Sequence, residues 1–162
     1  MRRVFAAFVL FCLVAAPAAA QPAVFLVRHA ERADMATAGP AMMADDPDLS
    51  PAGQQRARAL AKMLRDAGVG AIYTTEYRRT RLTAAPLAKE LAVATTVVPS
   101  KDTAALVQTL KAAKGNVLVV GHSNTLPDII TALGVAEPIK IEESEFDNLF
   151  VVVQGSLIRL KY

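Results

Sequence analysis

The stretch Ala23-Val24-Phe25-Leu26-Val27-Arg28-His29 decides the fold. Its five apolar residues follow one another without polar alternation, as in a strand buried on both faces of an α/β sheet. The strand then exits through a cation and an imidazole. Val117-Leu118-Val119-Val120 has the same character and exits through Gly121-His122, so the two histidines of the chain follow two similar buried strands. Between them, Ala71-Ile72-Tyr73-Thr74 reads as a shorter strand that leads through Thr75-Glu76-Tyr77 into a helix carrying Arg78 and Arg79.

Parallel strands need crossover connections, and helical patterns stand where these are required. Ser50-Pro51 starts one helix, with Leu60, Met63 and Leu64 as its apolar stripe and Gly68 at its end. Arg79 to Leu91, Thr103 to Ala113 and Leu126 to Leu133 supply three more. Near the end, residues 148–153 and 156–160 flank Gln154-Gly155, a hairpin signal. Residues 32–48 read as a long loop. The expected fold is a three-layer α/β/α sandwich around a mostly parallel sheet.

The chain starts Met1-Arg2-Arg3, continues with an apolar run from Val4 to Ala16, and reaches Ala18-Ala19-Ala20-Gln21. These are the three parts of a secretory signal peptide, and the apolar run is shorter than the ~20 residues of a membrane-spanning helix. Residues 1–20 are therefore expected to be a signal peptide cleaved after Ala20. That leaves residues 21–162 as one domain in the periplasm or outside the cell, with no stable membrane insertion. An uncleaved N-terminal anchor is the other reading.

Residues 1–20 hold two of the 18 basic residues and none of the 15 acidic ones, so the remainder is almost neutral. No basic run with interleaved aromatics follows, and nucleic acid is not an expected partner. The single cysteine, Cys12, lies inside the signal. Disulfides, thiolate catalysis and cysteine metal sites are thus excluded from the expected mature chain.

The carboxyl ends of parallel strands line the binding crevice of an open α/β sheet, so Arg28, His29, Arg79 and His122 are expected to meet in one pocket. Imidazole can act as a covalent nucleophile, while guanidinium groups bind phosphoryl oxygens in pairs and stabilise their charge. Arg78, Arg79 and Arg81 together also fit a solvated helix face, and it is a motif resemblance that singles out Arg79 and leaves Arg78 and Arg81 as surface. Glu31 and Arg32, beside the histidine, either orient it or are ordinary loop charges. Asp45-Asp46-Pro47-Asp48 invites a metal reading, but acids clustered before a helix more often cap it, so neither metal nor cofactor is expected.

Leu26-Val27-Arg28-His29-Ala30-Glu31 resembles the Arg-His-Gly signature of the histidine phosphatase (phosphoglycerate mutase-like) superfamily, with Ala30 in place of Gly. Three further segments agree in order. Leu49 to Ala57 resembles the beginning of that family's first helix, and Tyr73 to Ala84 resembles its Ser-Pro-x-x-Arg-Ala-x-Gln-Thr-Ala segment. Val119-Val120-Gly121-His122-Ser123-Asn124 resembles its second-histidine motif. The resemblance implies that His29 is transiently phosphorylated and that Arg28, Arg79 and His122 complete the phosphate pocket.

The family also uses a carboxylic acid to protonate the leaving oxygen. Asp102 and Glu76 are the candidates, since Ser123 stands where the larger acid phosphatases have Asp after the second histidine. The function implied is hydrolysis of a small phosphomonoester through phosphohistidine. The alternatives are a non-catalytic envelope module that binds a phosphate-bearing ligand and a phosphoglycerate-type mutase. Substrate specificity falls to residues 32–48 and to the loops around Lys101 and Glu137–Glu145.

Overall fold

The computed structural model describes residues 22–36 and 46–162. The expected signal peptide, and the middle of the loop expected over residues 32–48, lie outside the described residues. Six strands and four helices follow in chain order: β1 (Val24–Arg28), α1 (Pro51–Leu64), β2 (Val69–Thr74), α2 (Arg78–Leu91), β3 (Thr95–Val97), α3 (Thr103–Lys111), β4 (Asn116–Gly121), α4 (Leu126–Ala132), β5 (Asn148–Val153) and β6 (Ser156–Lys161). A short 3-10 turn covers Ala33–Ala36.

One sheet holds all six strands in the order β3-β2-β4-β1-β5-β6. The four strands joined by helices, β1 to β4, are parallel, and the β5–β6 hairpin adds on antiparallel to β1. The hairpin turn has φ of 50° at Gln154 and 76° at Gly155, the double left-handed geometry of a type I′ turn.

The continuous apolar runs are explained by burial on both faces. Along β1, Leu26 packs on one side with Val119 and Phe150 against Leu106 and Leu110 of α3 and Ile129 and Ile130 of α4. Val27 packs on the other side with Leu118 and Val120 against Leu60 and Leu64 of α1 and Leu87 of α2. The result is the expected three-layer α/β/α sandwich. Each fully buried Leu or Ile adds on the order of 2 kcal/mol of transfer free energy.

Local signals set the element boundaries. Ser50 Oγ accepts the Gly53 N–H at 3.0 Å and caps α1, with Pro51 in the first turn. That helix ends at Leu64, and Gly68, at φ 63°, turns the chain into β2. The helix expected from Arg79 begins one residue earlier, at Arg78. Strand β3 has no counterpart in the sequence reading, because Thr95, Thr96 and Val97 are all exposed at the sheet edge and carry no burial pattern.

The register is what positions the site. Arg28 of β1 lies opposite Gly121 of β4, and Thr74 of β2 lies opposite Val120. Three neighbouring parallel strands therefore end level, and the next residues, His29, His122 and Thr75, emerge side by side. The chain also changes direction here, since β1 connects outward to β2 and β4 returns between them, which is where such sheets open a crevice.

Candidate active site

His29 and His122 stand with ring centroids 5.4 Å apart, and both are buried. The backbone N–H of His29 donates to the Gly121 carbonyl at 3.0 Å, extending the β1–β4 ladder by one bond beyond the strands. Its Nδ1 lies 2.8 Å from the Ala30 carbonyl oxygen. Only an N–H can satisfy that oxygen, so Nδ1 carries the hydrogen and Nε2 keeps its lone pair. Burial pushes the His29 imidazole down to about 3 against the pull of its carbonyl bond, and the charges of His122, Arg79 and Arg28 add to the depression. At neutral pH it is an uncharged imidazole with a free nitrogen.

His122 is likewise pushed down to about 4 by burial, with the Arg79 charge next in importance. Its Nε2 lies 3.0 Å from Thr75 Oγ1, which in turn lies 3.0 Å from Thr80 Oγ1. Thr80 anchors this hydroxyl pair to the Thr75 and Tyr77 carbonyls at 3.1 and 2.8 Å. Tyr77 meets His122 edge-on at 5.3 Å and lies under the Arg79 guanidinium at 4.1 Å. One aromatic ring thus orients two of the four expected pocket residues.

Arg79 is the second residue of α2 and its side chain is only 12 % exposed, whereas neighbouring Arg78 is 53 % exposed and pairs with Asp48 at 2.6 Å. Arg78 and Arg81 are surface residues, as the sequence suggested. The Arg79 Nε and NH1 groups are buried with no hydrogen-bond partner among the described residues, and the Asp46 carboxylate pairs with NH1 at 3.8 Å. Burial and the Arg32 charge lower the affinity of this guanidinium for its proton.

Arg28 is buried over the Phe146 ring, 4.2 Å from its centroid. NH1 donates to the Glu142 and Glu143 carbonyls at 3.1 and 2.9 Å, and NH2 donates to the Glu143 carboxylate at 2.8 Å. Its Nε is buried with no hydrogen-bond partner among the described residues. Thr83 ties the two arginine-bearing segments together: its Oγ1 accepts the Ala30 N–H at 2.9 Å and donates to the Arg79 carbonyl at 2.7 Å.

The four expected pocket residues are thus brought to one place, and the other candidates are arranged as follows. Glu31 turns away to grip Arg56, at 2.6 Å from NH2, and Arg32 pairs with Asp34. Asp46 accepts the Arg78 backbone N–H at 2.8 Å, while Asp45 lies outside the described residues. Among the described residues no cluster of three potential metal ligands occurs. Glu76 is exposed and spends its carboxylate on the Ser100 N–H and hydroxyl at 2.8 and 2.9 Å. Although burial alone would push it up, a bond from its own backbone N–H together with the Ser100 bonds holds the Glu76 carboxyl below the usual carboxylate range. Asp102 is exposed at the start of α3, where its side chain caps no N–H.

Thr75, Tyr77, Thr83, Phe146 and Glu143 were not singled out by sequence. Thr83, one turn after Arg79, is the one that helical spacing could have indicated.

A small cleft of about 240 Å³ opens in front of Arg79 and His122, rimmed by Ser100, Lys101 and Asn124. Larger grooves, such as one of about 480 Å³ between α1 and α2, hold none of these groups. The model of the histidine phosphatase superfamily (branch 1) matches residues 24–102, the segment with Arg28, His29 and Arg79. Over this segment the chain is similar to that superfamily.

His122 lies beyond the matched residues and joins the site through the fold. Among solved structures, the proposed phosphohistidine phosphatase SixA from Agrobacterium tumefaciens is 22 % identical with TM-score 0.62, over 86 % of this chain and 96 % of that one. The alpha-ribazole phosphatase from Shigella flexneri is 13 % identical with TM-score 0.66, over 86 % and 95 %. The mycobacterial glucosyl-3-phosphoglycerate phosphatase, in complex with VO3, is 14 % identical with TM-score 0.65, over 88 % and 97 %. At these identities the likeness is one of fold. A sequence comparison with curated proteins finds no match.

Proposed function

We propose that this protein is an exported phosphomonoester hydrolase that works through a phosphohistidine on His29. The observation that carries this reading is the set of buried donors with no hydrogen-bond partner among the described residues: Arg28 Nε and Arg79 Nε and NH1, beside the Nε2 of a neutral His29. Buried N–H groups left unpaired are costly, and cationic ones more so, unless a ligand completes them. A phosphate dianion offers several acceptor oxygens and two negative charges, so it answers all three donors at once.

In the first step Nε2 attacks phosphorus in line while the ester oxygen leaves. The two guanidinium groups stabilise the charge spread over the equatorial oxygens. Thr75 can donate its hydroxyl hydrogen to His122 Nε2, which leaves an N–H on His122 Nδ1 for the same phosphate. Water then attacks phosphorus, the P–N bond breaks and His29 is restored. The small cleft rimmed by Lys101 suits a small phosphorylated substrate whose leaving group faces solvent.

Export rests on the basic start, the apolar run and the Ala18-Ala19-Ala20 site. Among the described residues no helix is long and apolar enough to cross a membrane. The deciding experiment is a screen of the purified protein against a panel of phosphomonoesters with His29→Ala in parallel. Turnover that needs His29 supports the reading. No turnover of any ester, together with tight binding of phosphate, would replace it with an anion-binding module.

A further inference from the structure

We infer that Glu143, in the loop between α4 and β5, is the proton donor to the leaving oxygen, an assignment that rests on the phosphatase reading above. Its carboxylate bridges two strand-exit segments. Oε2 accepts from Arg28 NH2 at 2.8 Å, and Oε1 accepts from the Ser123 hydroxyl at 3.1 Å. Ser123 directly follows His122, so this carboxylate reaches the neighbourhood of both arms of the pocket.

Two features distinguish it from the other carboxylates. The Glu143 side chain is 85 % exposed, open to the solvent into which a leaving group departs, while it is bonded to the buried Arg28 guanidinium. Glu76 has both oxygens engaged with Ser100, and among the described residues the Asp102 side chain makes no hydrogen bond to Arg28, His29, Arg79 or His122, nor a cap on α3. Asp46 approaches Arg79, but it accepts the Arg78 N–H and lies at the start of α2.

Arg28 NH2 and the Ser123 hydroxyl both donate to this carboxylate, so a phosphoryl group bound by the same guanidinium has its oxygens beside Glu143. In the first step the Nε2–P bond forms, the P–O bond breaks, and the Glu143 proton passes to the departing oxygen. In the second step the Glu143 carboxylate takes a proton from water as its oxygen bonds to phosphorus and the P–N bond breaks. The acid is thereby restored.

The test compares wild type, Glu143→Gln, Glu76→Gln and Asp102→Asn on 4-nitrophenyl phosphate, whose leaving group needs no proton, and on an alkyl phosphate, whose leaving group does. Glu143→Gln should lose roughly 10²–10³-fold in kcat/KM on the alkyl ester and less than about tenfold on the aryl ester, within the usual worth of a positioned acid. It should also show a burst of 4-nitrophenol as phosphoenzyme accumulates, because the second step lacks its base. Equal losses on both esters would assign Glu143 to holding its loop around Arg28 and overturn the proposal. So would unchanged or faster alkyl turnover, or the asymmetry appearing in Glu76→Gln or Asp102→Asn instead. If the wild type turns over neither ester, the phosphatase reading fails and this assignment falls with it. If the aryl ester is hydrolysed in a His29-dependent way, only the Glu143 comparison is at stake.

Discussion

The Nδ1 atom of His29 lies 2.8 Å from the carbonyl oxygen of the next residue, Ala30. That contact fixes the tautomer of the ring and leaves Nε2 as its only lone pair. Incubation with a phosphoryl donor should therefore label the protein on His29 at Nε2, as a phosphoramidate that is lost in acid and survives base. Phosphorus NMR of the labelled protein separates the two ring positions. His29→Ala should abolish the label and lower turnover by at least about 10³-fold. A label that persists in His29→Ala would assign the nucleophile elsewhere.

Arg79 carries the second expectation, because it sets function against stability. Its Nε and NH1 are buried with no hydrogen-bond partner among the described residues, and Arg32 is a nearby like charge. Arg79→Ala should lower kcat/KM by roughly 10²–10³-fold, the scale of losing a preorganised charged donor. Arg79→Lys should recover little, since an ammonium does not reproduce the two-point contact. Thermal melting of Arg79→Ala should be unchanged or higher, as an unsatisfied buried cation is removed. A clear drop in melting temperature with activity intact would mean that Arg79 is structural.

These two residues also show what the sequence made legible. Strand β1 could be read because burial on both faces demands an unbroken apolar run, and His29 because it follows that run directly. Arg79 is told apart from Arg78 and Arg81 by the motif resemblance, since all three lie on the helix that succeeds β2. Strand β3 could not be read, since the exposed Thr95-Thr96-Val97 pairs by backbone alone. Glu143 could not be read either. It is 115 positions from Arg28, and its approach depends on where the α4–β5 connection crosses the sheet edge, which no local pattern encodes. The order and register of the strands decide such contacts.

Gly53 gives a test of how the site is held. A Cβ at this position would sit 2.2 Å from the Glu31 carbonyl oxygen, a backbone atom two residues after the nucleophile. The first turn of α1 therefore packs directly on the segment that carries His29. Gly53→Ala must push that segment or the helix away, and should cost on the order of 1–3 kcal/mol in denaturant unfolding, as overpacking does. It should also lower kcat while the pocket residues remain intact. Unchanged stability and kcat would show that the helix start can shift freely.

Export is tested at the N-terminus. The reading of residues 1–20 as a signal peptide expects a secreted or periplasmic protein that begins at Gln21. Mass spectrometry of the protein recovered from its producing cell decides this. An intact Met1 in the membrane fraction would mean that the segment is kept as an anchor.

The last expectation concerns acid. Burial pushes His29 to about 3 and His122 to about 4, both below the ordinary 6.5 of an unfolded chain. Between these values the unfolded chain binds more protons than the fold, so stability rises with pH through that window. The contribution of the two neutral rings is fully present above about pH 6.5 and is lost as pH falls toward 4 and then 3. Each tenfold difference in proton affinity between the folded and unfolded chain is worth about 1.4 kcal/mol, so the loss down to pH 4 amounts to a few kcal/mol. Urea midpoints measured from pH 7 to pH 4 should fall accordingly, and less steeply in the His29→Gln, His122→Gln double variant. The rings also stand 5.4 Å apart, so protonation of one opposes protonation of the other and spreads the loss over a wide pH range. Nucleophilicity follows the same sign: kcat/KM should show no histidine limb near pH 6.5, because His29 is already neutral there. A limb at that pH which disappears in His122→Gln would show that the second ring is charged in the working pocket.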